Sequence, residues 1–122
     1  MKNEFEEFVD LMEKNIDRCP WTKQLSTKDF QEEISKEAKE LETAIKNDDN
    51  ENIKEELGDL FWDIMTTAYL AEKEGRFQAK DILKSVKEKM KKRKPFLLGK
   101  KKDISLKECM DTWNKAKQQE KK

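Results

Sequence analysis

The sequence predicts an all-α protein, a bundle of about five helices. Apolar residues recur at helical spacing through most of the chain, no stretch alternates as a strand would, and glycine and proline mostly punctuate the ends of the periodic stretches. At 122 residues the chain fits one domain, residues 1–122. Its 34% hydrophobic content can build a core only if those residues concentrate on helix faces.

The first helix is expected over roughly Glu4 to Asp17, with Phe5, Phe8, Val9, Met12 and Ile16 on one face, and Cys19-Pro20-Trp21 stops it. Ser26 with Asp29 three residues on reads as the cap of a second helix running to about Asn47. Its apolar stripe is Phe30, Ile34, Leu41, Ala44 and Ile45. After the turn Asp48-Asp49-Asn50, a third helix reaches Glu74 with Ile53, Leu57, Leu60, Phe61, Ile64, Met65, Ala68 and Ala71 facing inward, and Gly75 ends it. A fourth, from about Ala79 to Lys94, is expected to bury Ile82, Leu83, Val86 and Met90 before Pro95. Residues 95 to 104, with Lys100-Lys101-Lys102, form a basic loop. Ser105 and Glu108 then open a last helix whose lysine-rich end is expected to fray.

Composition excludes much chemistry. Lys plus Arg and Asp plus Glu both number 27, so interleaved charge gives no general attraction for nucleic acid or an anionic membrane. No apolar run reaches the roughly 18 residues of a membrane span and no signal-peptide core follows Met1, so a cytoplasmic protein is expected. With no His, the Ser-His-Asp and Cys-His nucleophile systems and His-ligated metal are excluded. Cys19 and Cys109 are too few and too far apart for a zinc knuckle, and read as small reduced residues. Three glycines leave no phosphate-binding loop.

Four acids stand out: Glu37 and Glu40, then Glu56 and Asp59, each pair three apart in a helical stretch. Positions i and i+3 share a helix face, so each pair presents two carboxylates to whatever packs beside it. At about 100° per residue, Glu37 falls inside its helix's apolar stripe with Glu33 and Glu40 at one edge, while Glu56, Asp59 and Asp63 share a sector of about 60°. Any one acid in so charged a chain is explained by a neighbouring lysine. A doubled, face-matched cluster is not, because buried carboxylates require protons or cations. Gly58, between Glu56 and Asp59, costs about 1 kcal/mol against alanine in a helix interior. Close approach of a backbone or ligand, or tight helix packing, would offset that cost.

The run Glu37-x-x-Glu40 followed by Glu56-Leu57-Gly58-Asp59 resembles the signature of the MazG-type nucleoside triphosphate pyrophosphohydrolases, of the all-α NTP pyrophosphohydrolase superfamily. Cys19-Pro20-Trp21-Thr22-Lys23 is similar to the family's Cys-Pro-Trp-Asp-Lys segment, and Glu74-Gly75-Arg76-Phe77 with Asp81-Ile82 to a helix junction of the family. Lys89 with Arg93, and Trp113 with Lys117, match its two substrate-facing cationic stretches. The resemblance implies hydrolysis of standard or damaged nucleoside triphosphates between the α- and β-phosphates, giving monophosphate and pyrophosphate with Mg²⁺, or Mn²⁺ as substitute. It makes Glu37, Glu40, Glu56 and Asp59 the catalytic metal ligands, puts Lys89 and Arg93 on phosphates, and adds Trp113, Lys117, Trp21 and Lys23 to the substrate contacts. Trp21 and Trp113 are the candidates for stacking on the base.

Departures from the pattern are Lys36, where the family has a first glutamate, Thr22 for aspartate after Trp21, and Leu25-Ser26 for Gln-Thr. Lys36 cannot bind metal, so any outer role of that glutamate is either lost or moved to Glu33; Asp63 either adds a ligand, orients one, or forms a local salt bridge. The alternative is a catalytically weak helical regulator of the same fold that binds metal or nucleotide. Narrow apolar faces on charged helices suggest a homodimer, or a higher homo-oligomer, that buries Trp62 or the first helix's phenylalanines.

Overall fold

Helix formation follows the apolar periodicity, and the caps decide where each helix begins and ends. The computed structural model describes residues 1–101 and 103–121; Lys102 of the expected basic loop lies outside them, as does Lys122. The helices are α1 (Lys2–Arg18), α2 (Pro20–Lys23), α3 (Gln31–Lys46), α4 (Asn50–Lys73), α5 (Ala79–Arg93) and α6 (Leu106–Glu120), with 3₁₀ turns at Thr27–Phe30 and Pro95–Leu98. The all-α class holds: no strand occurs among the described residues. Among the described residues no helix is long and apolar enough to cross a membrane.

Among the described residues there are six helices, where about five were expected. Cys19 is extended at ψ 115° and ends α1; Pro20, with its fixed φ, then starts the single turn α2. The expected capping box is present, with the Ser26 N–H donating to Asp29 Oδ2 at 2.7 Å. It opens the 3₁₀ turn, so α3 itself starts only at Gln31. Gly75, at φ 79°, closes α4 as expected: its N–H bonds the Glu72 carbonyl, and the Arg76 N–H bonds that of Ala71.

Residues group into two compact units, Met1–Ala79 and Lys80–Lys122. In the first, α3 and α4 pair along their length through the turn at Asp48, while α1 lies on α4 and α2 on α1. The core is small: Met12 is wholly buried, and Phe30, Ala44, Met65, Ala68, Leu70 and Ala71 are each 5% exposed or less. Buried Thr66 spends its hydroxyl on the Trp62 carbonyl at 2.8 Å, which removes the cost of burying it. The segment after α2 is tied to the end of α4. Thr27 donates its N–H to Glu74 Oε2 at 2.8 Å and its hydroxyl to Oε1 at 3.1 Å, and Lys73 Nζ reaches the Lys23 carbonyl at 3.1 Å.

Several residues expected inside are not. On α4, Leu57 is 51% exposed and Phe61 and Ile64 are each 42% exposed, because the apolar stripe is wider than the groove that α1 and α3 cover. Phe5 and Phe8 pack on Phe61, and Phe8 meets Trp62 edge-on at 5.7 Å. In the second unit Leu83 and Val86 are also about half exposed. α6 runs to Glu120, which pairs with Arg93; Lys122 of the lysine-rich end lies outside the described residues.

Candidate active site

The pairing of α3 with α4 sets the site. Glu33, Glu37 and Glu40 follow one face of α3 at i, i+4 and i+7, and Glu56, Asp59 and Asp63 follow one face of α4. Two groups of carboxylates converge between the helices. One oxygen each from Glu37, Glu56 and Asp59 lie within 4.8 Å of one another, and so do one each from Glu33, Glu37 and Asp63. Glu37 belongs to both. Glu40 lies beside Glu56 but outside both triads, on the wall of a groove of about 360 Å³ that also holds Thr43, Asn47 and Asn52.

This crowding is electrostatically costly. Glu37 and Glu56 are half-buried, and the Oε2 atom of each is inaccessible to water and meets no hydrogen-bond donor. The Glu56 carboxyl is pushed up to about 8, first by hydrogen-bond contact with the Glu37 carboxyl, then by burial and Glu40. Asp63 is pushed up to about 6 by burial, with the charges of Glu37, Glu33 and Asp59 adding to it. Such a cluster needs a proton or a cation among its oxygens. An all-carboxylate donor set with inaccessible, unsatisfied oxygens fits a hard divalent ion.

Gly58 is not explained by packing within the chain, since a Cβ there would meet nothing within 4 Å. Lys36 is exposed and belongs to neither triad.

A cavity of about 350 Å³ adjoins the second triad, sharing Glu33 and Asp63 with it. Trp21 stands exposed at its edge, and Trp62, Phe30, Thr22 and Asn15 complete much of the wall. Lys23 is exposed at the end of α2. Sequence reasoning missed Asn15, although a polar residue three after Met12 and seven after Phe8 interrupts the α1 stripe. It offered Trp62, or the first helix's phenylalanines, for burial in an oligomer; within the chain Phe8 packs on Trp62 and the indole also lines this cavity.

In the second unit Arg93 and Trp113 come together. The Arg93 guanidinium lies 4.8 Å from the Trp113 ring centroid and Lys94 Nζ lies 5.7 Å from it. Arg93 is also forked onto Glu120, with Nη2 to Oε2 at 2.7 Å and Nε to Oε1 at 3.3 Å. Lys89 and Lys117 are exposed, on α5 and α6.

The family model of the MazG nucleotide pyrophosphohydrolase domain matches residues 25–98, a span that holds both carboxylate triads. The chain belongs to the MazG family. It is 31% identical over 119 residues to the nucleoside triphosphate pyrophosphohydrolase/pyrophosphatase MazG of Thermotoga maritima, covering 96% of this chain and 45% of that protein. A nucleoside triphosphate pyrophosphohydrolase of Escherichia coli K12 is 26% identical over 121 residues, covering 97% of this chain and 46% of the relative. The chain thus spans about half the length of these curated MazG relatives. A crystal structure of a mazG-related protein from Thermotoga maritima superposes with a TM-score of 0.83 at 30% identity, covering 93% of this chain and 98% of that one. The matched MazG span includes Lys89 and Arg93 and leaves out Trp21, Lys23, Trp113 and Lys117.

Proposed function

We propose that the chain is a nucleoside triphosphate pyrophosphohydrolase, cleaving between the α- and β-phosphates to release monophosphate and pyrophosphate with Mg²⁺, for which Mn²⁺ can substitute. The observation that carries this reading is the pair of water-inaccessible oxygens on Glu37 and Glu56, which meet no donor. Glu37, Glu56 and Asp59 would hold the ion, with Glu40 beside Glu56 as a fourth carboxylate. Glu33 and Asp63 extend the cluster from Glu37. When bound, a divalent ion supplies charge relief at the phosphates and lowers the pKa of a coordinated water.

The chain's own contribution is placement. Glu56, pushed up to about 8 beside Glu37, holds a proton that a cation would replace, and Asp63, on the cavity side, keeps a carboxyl able to hold a proton near pH 6. Trp21 and Trp62 offer apolar faces for a base in the adjoining cavity, where stacking keeps water from one side of the nucleotide. On the resemblance, Lys89, Arg93 and Lys117 take phosphates, Trp113 and Lys23 touch the nucleotide, and residues 1–122 act as one domain. In this reading the enzyme works in the cytoplasm as a homodimer on free nucleotides.

Anion-exchange analysis of products from a panel of standard and modified triphosphates, with Mg²⁺ and with EDTA, tests the proposal. Metal-dependent monophosphate and pyrophosphate are expected, lost in Glu56→Gln. Diphosphate plus phosphate would mean that the wrong bond has been assigned. Lys36 keeps a second reading in view, a regulator that binds nucleotide without turnover; its exposure, which leaves both triads intact, favours the enzyme.

A further inference from the structure

Asn15 is half-buried in α1 and lines the cavity of about 350 Å³, a volume within the roughly 300–1,000 Å³ range of small-molecule pockets. Thr22 of α2 is only 3% exposed, and its hydroxyl donates to Asn15 Oδ1 at 3.3 Å. That bond occupies the acceptor end of the amide and sets which way it points. The Nδ2 end keeps two N–H donors, and no acceptor among the described residues meets them. The other polar side chains of the wall are committed. Thr66 donates to the Trp62 carbonyl, Asp29 accepts from Ser26, and Glu33 and Asp63 belong to a carboxylate triad. The wall therefore offers a base two indoles, the Phe30 ring and one amide donor.

We infer that Asn15, held by Thr22, determines base specificity by donating Nδ2–H to an exocyclic carbonyl, so that the chain favours oxo bases over their amino counterparts. This rests on the proposed function. Hypoxanthine differs from adenine, and uracil from cytosine, by an exocyclic oxygen in place of an amine. An amine at that position turns N–H toward N–H, and two donors are left without acceptors. Asn15 is the reading residue and Thr22 its positioning residue. The Thr22 hydroxyl also contacts the Cys19 thiol and holds it below its usual pKa. An aspartate at position 22 could only accept, which would turn the amide around and present Oδ1 to the cavity.

The test is the ratio of kcat/KM within two matched pairs, ITP against ATP and UTP against CTP, with Mg²⁺. The native chain is expected to favour ITP and UTP by about tenfold. Asn15→Asp, which presents acceptors only, and Thr22→Asp should reverse the preference, Thr22→Val should erase it, and Thr22→Ser should keep it. Helical circular dichroism identifies which variants fold. Equal ratios in the native chain, or ratios unchanged in folded Asn15→Asp and Thr22→Val, overturn the inference. If no triphosphate is cleaved, the proposed function has failed. Dissociation constants for the same pairs then decide the matter, a tenfold preference for ITP and UTP supporting the reading and equal affinities refuting it.

Discussion

Glu37 on α3 and Glu56 on α4 each turn one oxygen, Oε2, to a place where neither water nor a donor reaches it. Leaving a buried acceptor unsatisfied opposes folding, and two facing each other oppose it more. The metal-free chain answers with a proton held by Glu56 into the neutral range. The loaded chain would answer with a cation, so folding and loading are thermodynamically linked.

That linkage has a defined sign. Glu56 is raised from 4.5 to about 8 and Asp63 from 3.8 to about 6, so the contribution of both is fully present below their ordinary values and is lost as pH rises through the folded ones. The melting temperature of the metal-free protein should fall from about pH 5 to above pH 8. Glu56→Gln should flatten the curve, and Mg²⁺ at pH 8 should restore stability. Thermal circular dichroism with EDTA and with Mg²⁺ reads this; a metal-free curve flat from pH 5 to 9 would contradict the proton held on Glu56.

Gly58→Ala should stabilise the isolated chain by about 0.5–1 kcal/mol, because a helix interior prefers alanine and the added methyl meets nothing within 4 Å. Urea titration of the metal-free protein measures it. A loss of stability would show that something outside this chain packs on the glycine.

Leu57, Phe61 and Ile64 fall at i, i+4 and i+7 on α4, and all three are 42–51% exposed. If the protein is a homodimer, this face is its natural seam. Ile64→Lys should then shift sedimentation equilibrium to the monomer mass, 14.6 kDa, with helix content kept. A native chain already at that mass would end the dimer proposal.

Arg93 is engaged on both sides, by Glu120 and by the Trp113 ring. If Arg93 takes a phosphate as proposed, that phosphate must displace the Glu120 carboxylate. Glu120→Gln should therefore lower KM several-fold, by an amount that shrinks as salt screens the charge. Arg93→Lys should raise KM, since an ammonium cannot present two parallel donors. An unchanged KM in both variants removes Arg93 from the substrate contacts.

The carboxylate pairs were legible because helical spacing is strict: three-residue offsets put Glu37 with Glu40 and Glu56 with Asp59 whatever the helices pack against. Which of them converge was not, because that depends on how α4 lies along α3. The result is that Glu33 and Asp63 join triads while Glu40 stands to one side. Capping chemistry read correctly at Ser26–Asp29 and Gly75, where the signal is local. The single turn of α2 escaped because four residues carry no periodicity. Leu57, Phe61 and Ile64 read as core because a helical stripe reveals a face but not whether this chain covers it. The Asn15–Thr22 bond joins two elements seven residues apart through side chains, and only the folded loop brings them together.

The Glu74 carboxylate that receives the Thr27 amide and hydroxyl fastens a short segment, 24–30, to the far end of the longest helix. Leu25, Asp29 and Phe30 of that segment are wall residues of the aromatic cavity. The cavity rim is therefore held by an exposed anion at one end and by the buried Phe30 ring at the other, and the anionic latch weakens with ionic strength. Amide hydrogen exchange at Thr27 would report its opening directly. The rim could then breathe on a timescale independent of global unfolding, giving a bulky planar ligand a way in and out while the helix pair beneath stays closed.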